Sequence, residues 1–238
     1  MAPYTPLLRP GRYFADREVD FFRVMVLVGL LVAAGPMTIY GVGWVVTDAV
    51  DGTLRVDNPA RPPEAFCDED DGAFADEPGC NEPKQVERDV DALIWEAMGE
   101  FAGPGFIAYP LGLLVVTLLL HGGAGLYGTE QGWFPTFAVA AWGLIPAVLG
   151  VGVALVALAL TVDPVTVAPG DDVGAALQPL EAQIRAVKPY RAFVTATTAA
   201  WGGYIWRAGL VEQQGLPAIE ASIVAGVVAV LYAAVGLL

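Results

Sequence analysis

The sequence is poor in the residues that most enzymes depend on. Its 238 residues hold one histidine, His121, one serine, Ser222, and two cysteines, Cys67 and Cys80. One His excludes an HExxH site, and a structural zinc site needs four protein ligands. The two cysteines lie far from His121 in sequence and form no CxxC, so a His/Cys zinc cluster is excluded. There is no GxSxG around Ser222 and no GxxxxGK[ST], since no lysine occurs before Lys84. Gly41 to Gly43 is a bare GxG without the rest of a dinucleotide fingerprint. Two cysteines also exclude a disulfide-dense small domain. Charged residues make up only 16% of the chain, below the usual share of about 25%. Those present are mostly acidic, 26 acids against 12 Lys and Arg, for a net charge of -14. That balance excludes a basic nucleic-acid binder. No cofactor motif is present.

What the chain has in excess is apolar residues, 55% of the total. They are segregated from the charge. The runs 24–47, 101–129, 131–162 and 221–238 contain no charged residue. A helix needs about 20 residues, at about 1.5 Å each, to cross roughly 30 Å of hydrocarbon. A weaker fifth run, Ala192–Trp206, lies between Arg191 and Arg207, whose stems can snorkel to headgroups. The chain is therefore expected to be an all-α polytopic helix bundle with five transmembrane helices, near 24–46, 106–127, 137–160, 191–210 and 219–238. Arg9, Arg12, Arg17 and Arg23 precede the first span, which places the N-terminus in the cytoplasm and the C-terminus outside. Arg185 and Lys188, on the outer side in this scheme, run against the rule. The first run is too long for the apolar region of a cleaved leader.

Residues 48–100 hold 16 acids against four basic residues, a net charge of -12. This segment is expected to be a long acidic extracytoplasmic loop, extended and solvated from Arg61 to Glu82. Val86, Val90, Leu93, Ile94 and Ala97 then recur at helical spacing, which predicts an amphipathic helix before the second span. Asp68, Asp70 and Gly72 invite comparison with a calcium loop, but Gly72 falls at the fifth position and Ala73 at the sixth, so the pattern fails. The simpler expectation is a solvated acidic face, as in proteins from high-salt environments, whose carboxylates repel one another until salt screens them. A disulfide between Cys67 and Cys80 would close a loop with little else to hold it; free thiols and a redox or metal role are the alternatives.

Within the apolar runs, His121 falls toward the cytoplasmic end of the second span, where an ionisable residue is a functional candidate by default. A neutral interfacial His bonded to the backbone is the plainer expectation. Pro36, Pro110 and Pro146 could break their helices and open a transport path, although proline is common in membrane helices. Gly143, Ala147, Gly150 and Ala154, and also Ala221, Ala225 and Ala229, make small faces suited to close helix packing. Leu7, Leu8, Tyr13, Phe14, Phe21 and Phe22 interleave with the N-terminal arginines, a composition drawn to anionic lipid. A short helix that merely leads into the first span would look the same.

Three stretches resemble the Yip1-domain family of multi-span membrane proteins, particularly its haloarchaeal members. They are LLRPGRYFADREVDFFRVMVLVGLL at 7–31, LHGGAGLYGTEQGWFPTFAVAAWGLIPAVLG at 120–150 and WGGYIWRAGLVEQQGLPAIEA at 201–221. The second carries a His, a Gly-rich loop and then Phe134, Thr136, Phe137, Val139, Ala141, Pro146 and Gly150. The long acidic loop departs from the family, whose first loop is usually shorter. The resemblance implies a cytoplasmic N-terminus and brings no catalytic residue. Eukaryotic relatives act in vesicle trafficking and bind small GTPases and one another, a role that does not transfer to an archaeal-like chain. The candidate residues are structural or interaction positions: His121, Gly125, Gly128, Pro146, Gly150, Trp206, Gly209 and Leu210.

The expected organisation is an interfacial segment at 1–23, a first span at 24–47, the acidic loop at 48–100 and a four-helix remainder at 101–238. The expected function is that of a non-enzymatic membrane scaffold or interaction protein. Its partners would be the lipid bilayer and a second copy or other membrane proteins. A small transporter or channel through proline-broken helices is the alternative.

Overall fold

A computed structural model describes residues 5–63, 67, 79–129, 132–170 and 173–237. The stretch Asp68–Ala73, compared above with a calcium loop, and Glu130 lie outside the described residues. In chain order the elements are α1 (Pro10–Ala15), α2 (Phe21–Ala49), β1 (Val50–Asp57), β2 (Gln85–Asp89), α3 (Val90–Gly125), α4 (Trp133–Thr161), β3 (Val165–Val167), α5 (Val173–Gln214) and α6 (Ala218–Leu237). The chain is mostly helical. Four helices, α2, α3, α4 and α6, are long and apolar enough to cross a membrane.

Local chemistry sets the helix ends. Asp20 caps α2 by accepting from the Arg23 N–H at 2.8 Å, which satisfies one of the first-turn donors that no helix can pair internally. α5 stops at Gly215, whose φ of +68° suits a residue without a Cβ. There the Gly215 N–H bonds the Val211 carbonyl and the Leu216 N–H reaches the Leu210 carbonyl, while Leu216 is buried. The first of these bonds, from the left-handed residue back to the carbonyl four before it, is the αL stop of a helix C-terminus. Inside the helices, Thr38, Thr117, Thr161 and Thr198 each donate to the carbonyl four residues earlier. Their hydroxyls are thereby satisfied by their own helix. Pro36, Pro110 and Pro146 all lie inside helices that continue past them.

The main core joins all six helices, with Phe14, Leu31, Leu120, Val139, Leu144, Trp206, Leu210, Ala221 and Ala225 at its centre. α5 is the hub of the bundle, packed against α4 and α6, and α1 lies along it. The outer surface is apolar instead: Met37, Leu111, Leu118, Val153, Leu160 and Val230 are exposed. At most a third of each apolar helix window is buried, so most of the hydrophobic surface faces outward, as lipid contact requires.

Two features differ from the expectation. The fifth helix, α5, is present, but it does not reach the apolarity of the other four. Its central stretch carries Thr195, Thr197, Thr198, Gly202, Gly203 and Tyr204 between two arginines. Five crossings therefore go beyond what apolarity alone carries.

The second difference is a sheet. The all-α expectation is corrected by three strands in the order β2-β1-β3. β1 pairs with β2 antiparallel, Val56 opposite Val86 and Arg55 opposite Glu87, and with β3 in parallel, Val50 opposite Val165. The segment 85–89, expected to open an amphipathic helix, is strand, and the helix from Val90 runs without a break to Gly125. Valines at 86 and 90 fit both periods, and pairing with β1 decides for strand at the first. A second small core, Ala49, Val50, Val90, Val167 and Leu180, lies beneath the sheet. It ties the 48–100 segment to the start of α5, so the segments that precede α3 and α5 meet in one cap.

Candidate functional site

Because the helices alternate in direction, one end of the bundle carries α1, the α3–α4 turn and the α5–α6 turn. The sheet lies at the other end. Polar side chains gather at the α1 end. The Gln214 amide, at the end of α5, donates from Nε2 to the Thr136 hydroxyl at 2.8 Å. His121 Nδ1 lies 3.2 Å from the same hydroxyl. With its proton on Nε2, His121 accepts from Thr136 through Nδ1, and one chain of hydrogen bonds links α5, α4 and α3. Thr136 and Gln214 are buried, while His121 is half-buried with its ring edge-on to Trp133 at 5.2 Å. The second amide atom, Gln214 Oε1, is buried and has no hydrogen-bond partner. The cluster contains no carboxylate and no activated nucleophile. It can hold three helices in register, and it offers no acid–base pair for catalysis. Among the described residues, no group of three or more His, Cys, Asp or Glu side chains is placed to hold a metal ion.

Next to this cluster the N-terminal segment is strapped to α5. Gln213 Nε2 donates to the Phe14 carbonyl at 2.5 Å, and Trp201 Nε1 donates to the Leu7 carbonyl at 2.8 Å. Pro10 and Phe14 are buried, and Tyr13 meets Trp142 edge-on at 5.7 Å. On the far side of the same segment, Leu8, Arg9 and Arg12 are exposed.

Farther along the bundle, the helices approach until glycine is the only residue that fits. A Cβ on Gly143 would run into the Trp206 indole, and one on Gly202 would meet the Gly143 carbonyl. Gly209 abuts Val139, and Gly150 abuts Thr198 and Val194. Trp206 is fully buried and donates from Nε1 to the Ala140 carbonyl at 3.3 Å. Gly35 and Gly105 bring the α2 and α3 backbones together in the same way.

The structure thus sets Gly150, Trp206 and Gly209 on the α4–α5 seam, with Pro146 buried in α4 on the same helix and Leu210 buried in α5. It sets His121 in the polar cluster. Gly125 and Gly128 face open space, and Gly128 has φ of +79° in the turn after α3. The partners of His121 were not visible in the sequence. Gln214 and Thr136 are 78 residues apart, and their only signal is that each is a polar residue flanking an apolar run. At the opposite end, Cys67 and Cys80 are joined in a disulfide with Cα atoms 5.5 Å apart. Arg61 secures that corner by donating to the Cys80 and Glu82 carbonyls at 2.6 Å each.

The sequence profile of the Yip1 domain matches residues 7–238. No curated protein and no solved structure matches the chain.

Proposed function

The chain belongs to the Yip1-domain family, whose profile covers it from residue 7 to residue 238, and from that membership we propose that it is a membrane scaffold that organises the bilayer and its neighbours without transforming a substrate. The observation that carries this is the α4–α5 seam. Trp206, Gly143, Gly202 and Gly150 fill the middle of the bundle at contact distance, where a transporter would need a polar cavity. The mid-helix hydroxyls of Thr38, Thr117 and Thr198 turn to carbonyls of their own helices instead of lining a path. Pro36, Pro110 and Pro146 sit in continuous helices, which favours the scaffold over a path through broken ones.

In this reading α5 also crosses the membrane, between α4 and α6, which makes five crossings. It spends its low apolarity inside the bundle, where its neighbours are α4 and α6. The N-terminus is cytoplasmic and the C-terminus outside. Two independent signs support that orientation. Arg9, Arg12, Arg17 and Arg23 cluster at the α1 end, and basic residues favour the cytoplasmic side. The Cys67–Cys80 disulfide is at the sheet end, and disulfides persist in oxidising compartments. The acidic cap is suited to high salt, in keeping with the haloarchaeal-type resemblance. Residues 1–23, 24–47, 48–100 and 101–238 are the interfacial segment, first span, acidic cap portion and remaining helices.

Reconstitution tests the function. Purified protein added to vesicles at increasing density should change vesicle size or cluster in the bilayer while ion and solute permeability stays at the lipid baseline. Vesicles of unchanged shape with raised permeability would overturn the scaffold and support the transporter. Affinity capture from native membranes in mild detergent should recover a second copy or another membrane protein as a stoichiometric partner.

A further inference from the structure

The depth of the N-terminal segment is unusual for a lead-in to a first span. Leu7 and Phe14 are bonded to Trp201 and Gln213, twelve residues apart on α5, a distance of about 18 Å at the helical rise. The segment therefore runs alongside α5 instead of lying flat across the end of the bundle. The apolar part of α5 ends at about Leu210. Trp201 is nine residues inside that point, or about 13 Å. A carbonyl bonded to Trp201 at 2.8 Å shares its depth.

The two faces of the segment fit such a position. Pro10 and Phe14 are buried against the bundle. The Leu8 side chain points outward and is 74% exposed, and Phe21 and Phe22, just beyond the segment, are also exposed. Water at Leu8 would be unfavourable, whereas acyl chains would suit it. Arg9 and Arg12 are exposed on the same outer side. Their long stems can lie along acyl chains while the guanidinium groups rise to the headgroup layer, where they match phosphate oxygens in bidentate geometry.

We propose that Thr5–Arg17 is a wedge inserted in the leaflet at the α1 end, held from within by Trp201 and Gln213 and from without by anionic lipid phosphates on Arg9 and Arg12. The wedge occupies one leaflet only and displaces lipid there without a counterpart opposite. That asymmetry supplies a physical route for a scaffold to bend or sort membrane. The proposal rests on the reading of α5 as a crossing helix.

Environment-sensitive dyes placed singly at Leu8→Cys, Asp16→Cys and Tyr204→Cys test it in the full-length protein. The vesicles are phosphatidylcholine with or without phosphatidylglycerol and carry quenchers either on the headgroup or midway along the acyl chain. The dye at position 8 should show blue-shifted emission and be quenched more by the acyl-chain label, and the dye at position 16 more by the headgroup label. A water-like dye at 8 with a lipid-quenched dye at 204 overturns the wedge alone. Water-like dyes at both positions overturn the crossing of α5 with it. Phosphatidylglycerol should increase the blue shift at position 8, and Arg9→Gln with Arg12→Gln should abolish that increase. Equal spectra in neutral and anionic vesicles would overturn the assignment of phosphates to the two arginines.

Discussion

Gly143 lies directly beneath the indole of Trp206, so close that a Cβ at position 143 would collide with it, while the indole N–H donates to the Ala140 carbonyl 3.3 Å away. Hydrophobic burial does little to bring helices together in lipid, so close packing and interhelical hydrogen bonds must do more. This pair supplies both at the centre of the α4–α5 seam. Gly143→Ala should lower stability in mild detergent by about 1–3 kcal/mol, the usual cost of overpacking. Trp206→Leu, which shrinks the opposing side chain, should couple to it, so that the double variant loses less than the sum of the singles. Additive thermal-melt shifts would show that the two positions do not touch as described.

A comparison within one helix separates packing from glycine's intrinsic helix cost. In α2, a Cβ on Gly35 would run into the Gly105 backbone, whereas one on Gly29 meets nothing within 4 Å. Gly29→Ala should be neutral or stabilising by up to about 1 kcal/mol, since alanine is the better helix former. Gly35→Ala should be clearly destabilising, because the obstacle is the Gly105 backbone, which cannot swing away. Thermal unfolding of the two variants in one detergent is the measurement.

The polar cluster predicts an order of effects. Thr136→Val removes the hydroxyl that serves both His121 and Gln214 and leaves buried groups without partners, at a cost of about 1–3 kcal/mol. Gln214→Met deletes a donor, but it also deletes the buried orphan oxygen Oε1, so it should cost less. If Gln214→Met proved the more damaging variant, the chain of hydrogen bonds would not be what secures this end.

Reducing the Cys67–Cys80 disulfide should act on the cap and spare the bundle. It closes a span of 13 residues, and opening a loop of that size removes up to about 3 kcal/mol of constraint on the unfolded state. Hydrogen exchange should quicken in β1 and β2 after reduction and stay unchanged at Val139, Leu144 and Ile205. Uniform quickening throughout the bundle would contradict this.

Salt should stabilise the protein. The net charge of -12 on residues 48–100 is self-repelling, and a shorter screening length weakens that repulsion. The unfolding midpoint should rise from low salt to molar KCl. A flat profile would mean that the carboxylates are already compensated.

The degree to which these features could be read from sequence follows the range of the interactions that form them. α2, α3, α4 and α6 were visible because a missing charge is a local property, countable residue by residue. α5 was visible only in part, since Thr198 and Gly202 are explained by Gly150 and Gly143 on another helix. The small face on α4 includes Gly143 and Gly150, which meet Trp206 and Thr198 of α5. The same argument gives no partner to Gly125 or Gly128, which serve the turn. The sheet was not legible. Val50, Leu54 and Val56 alternate in a segment dominated by its acids, and Val165–Val167 is too short to signal a strand until β1 lies beside it. His121 stands out as the one histidine of the chain, while Thr136, which bonds to it, and Gln214, which bonds to Thr136, are distant in sequence.

The position of β1 between β2 and β3 makes the segments before α3 and before α5 depend on each other. Val50 pairs with Val165 on one side, and Val56 pairs with Val86 on the other. A deletion that trimmed 48–100 to a short hairpin would strip the cover from Leu177 and Leu180 at the start of α5. The acidic loop is thus one wall of a two-walled structure, and a chimera that exchanges it must carry both walls together.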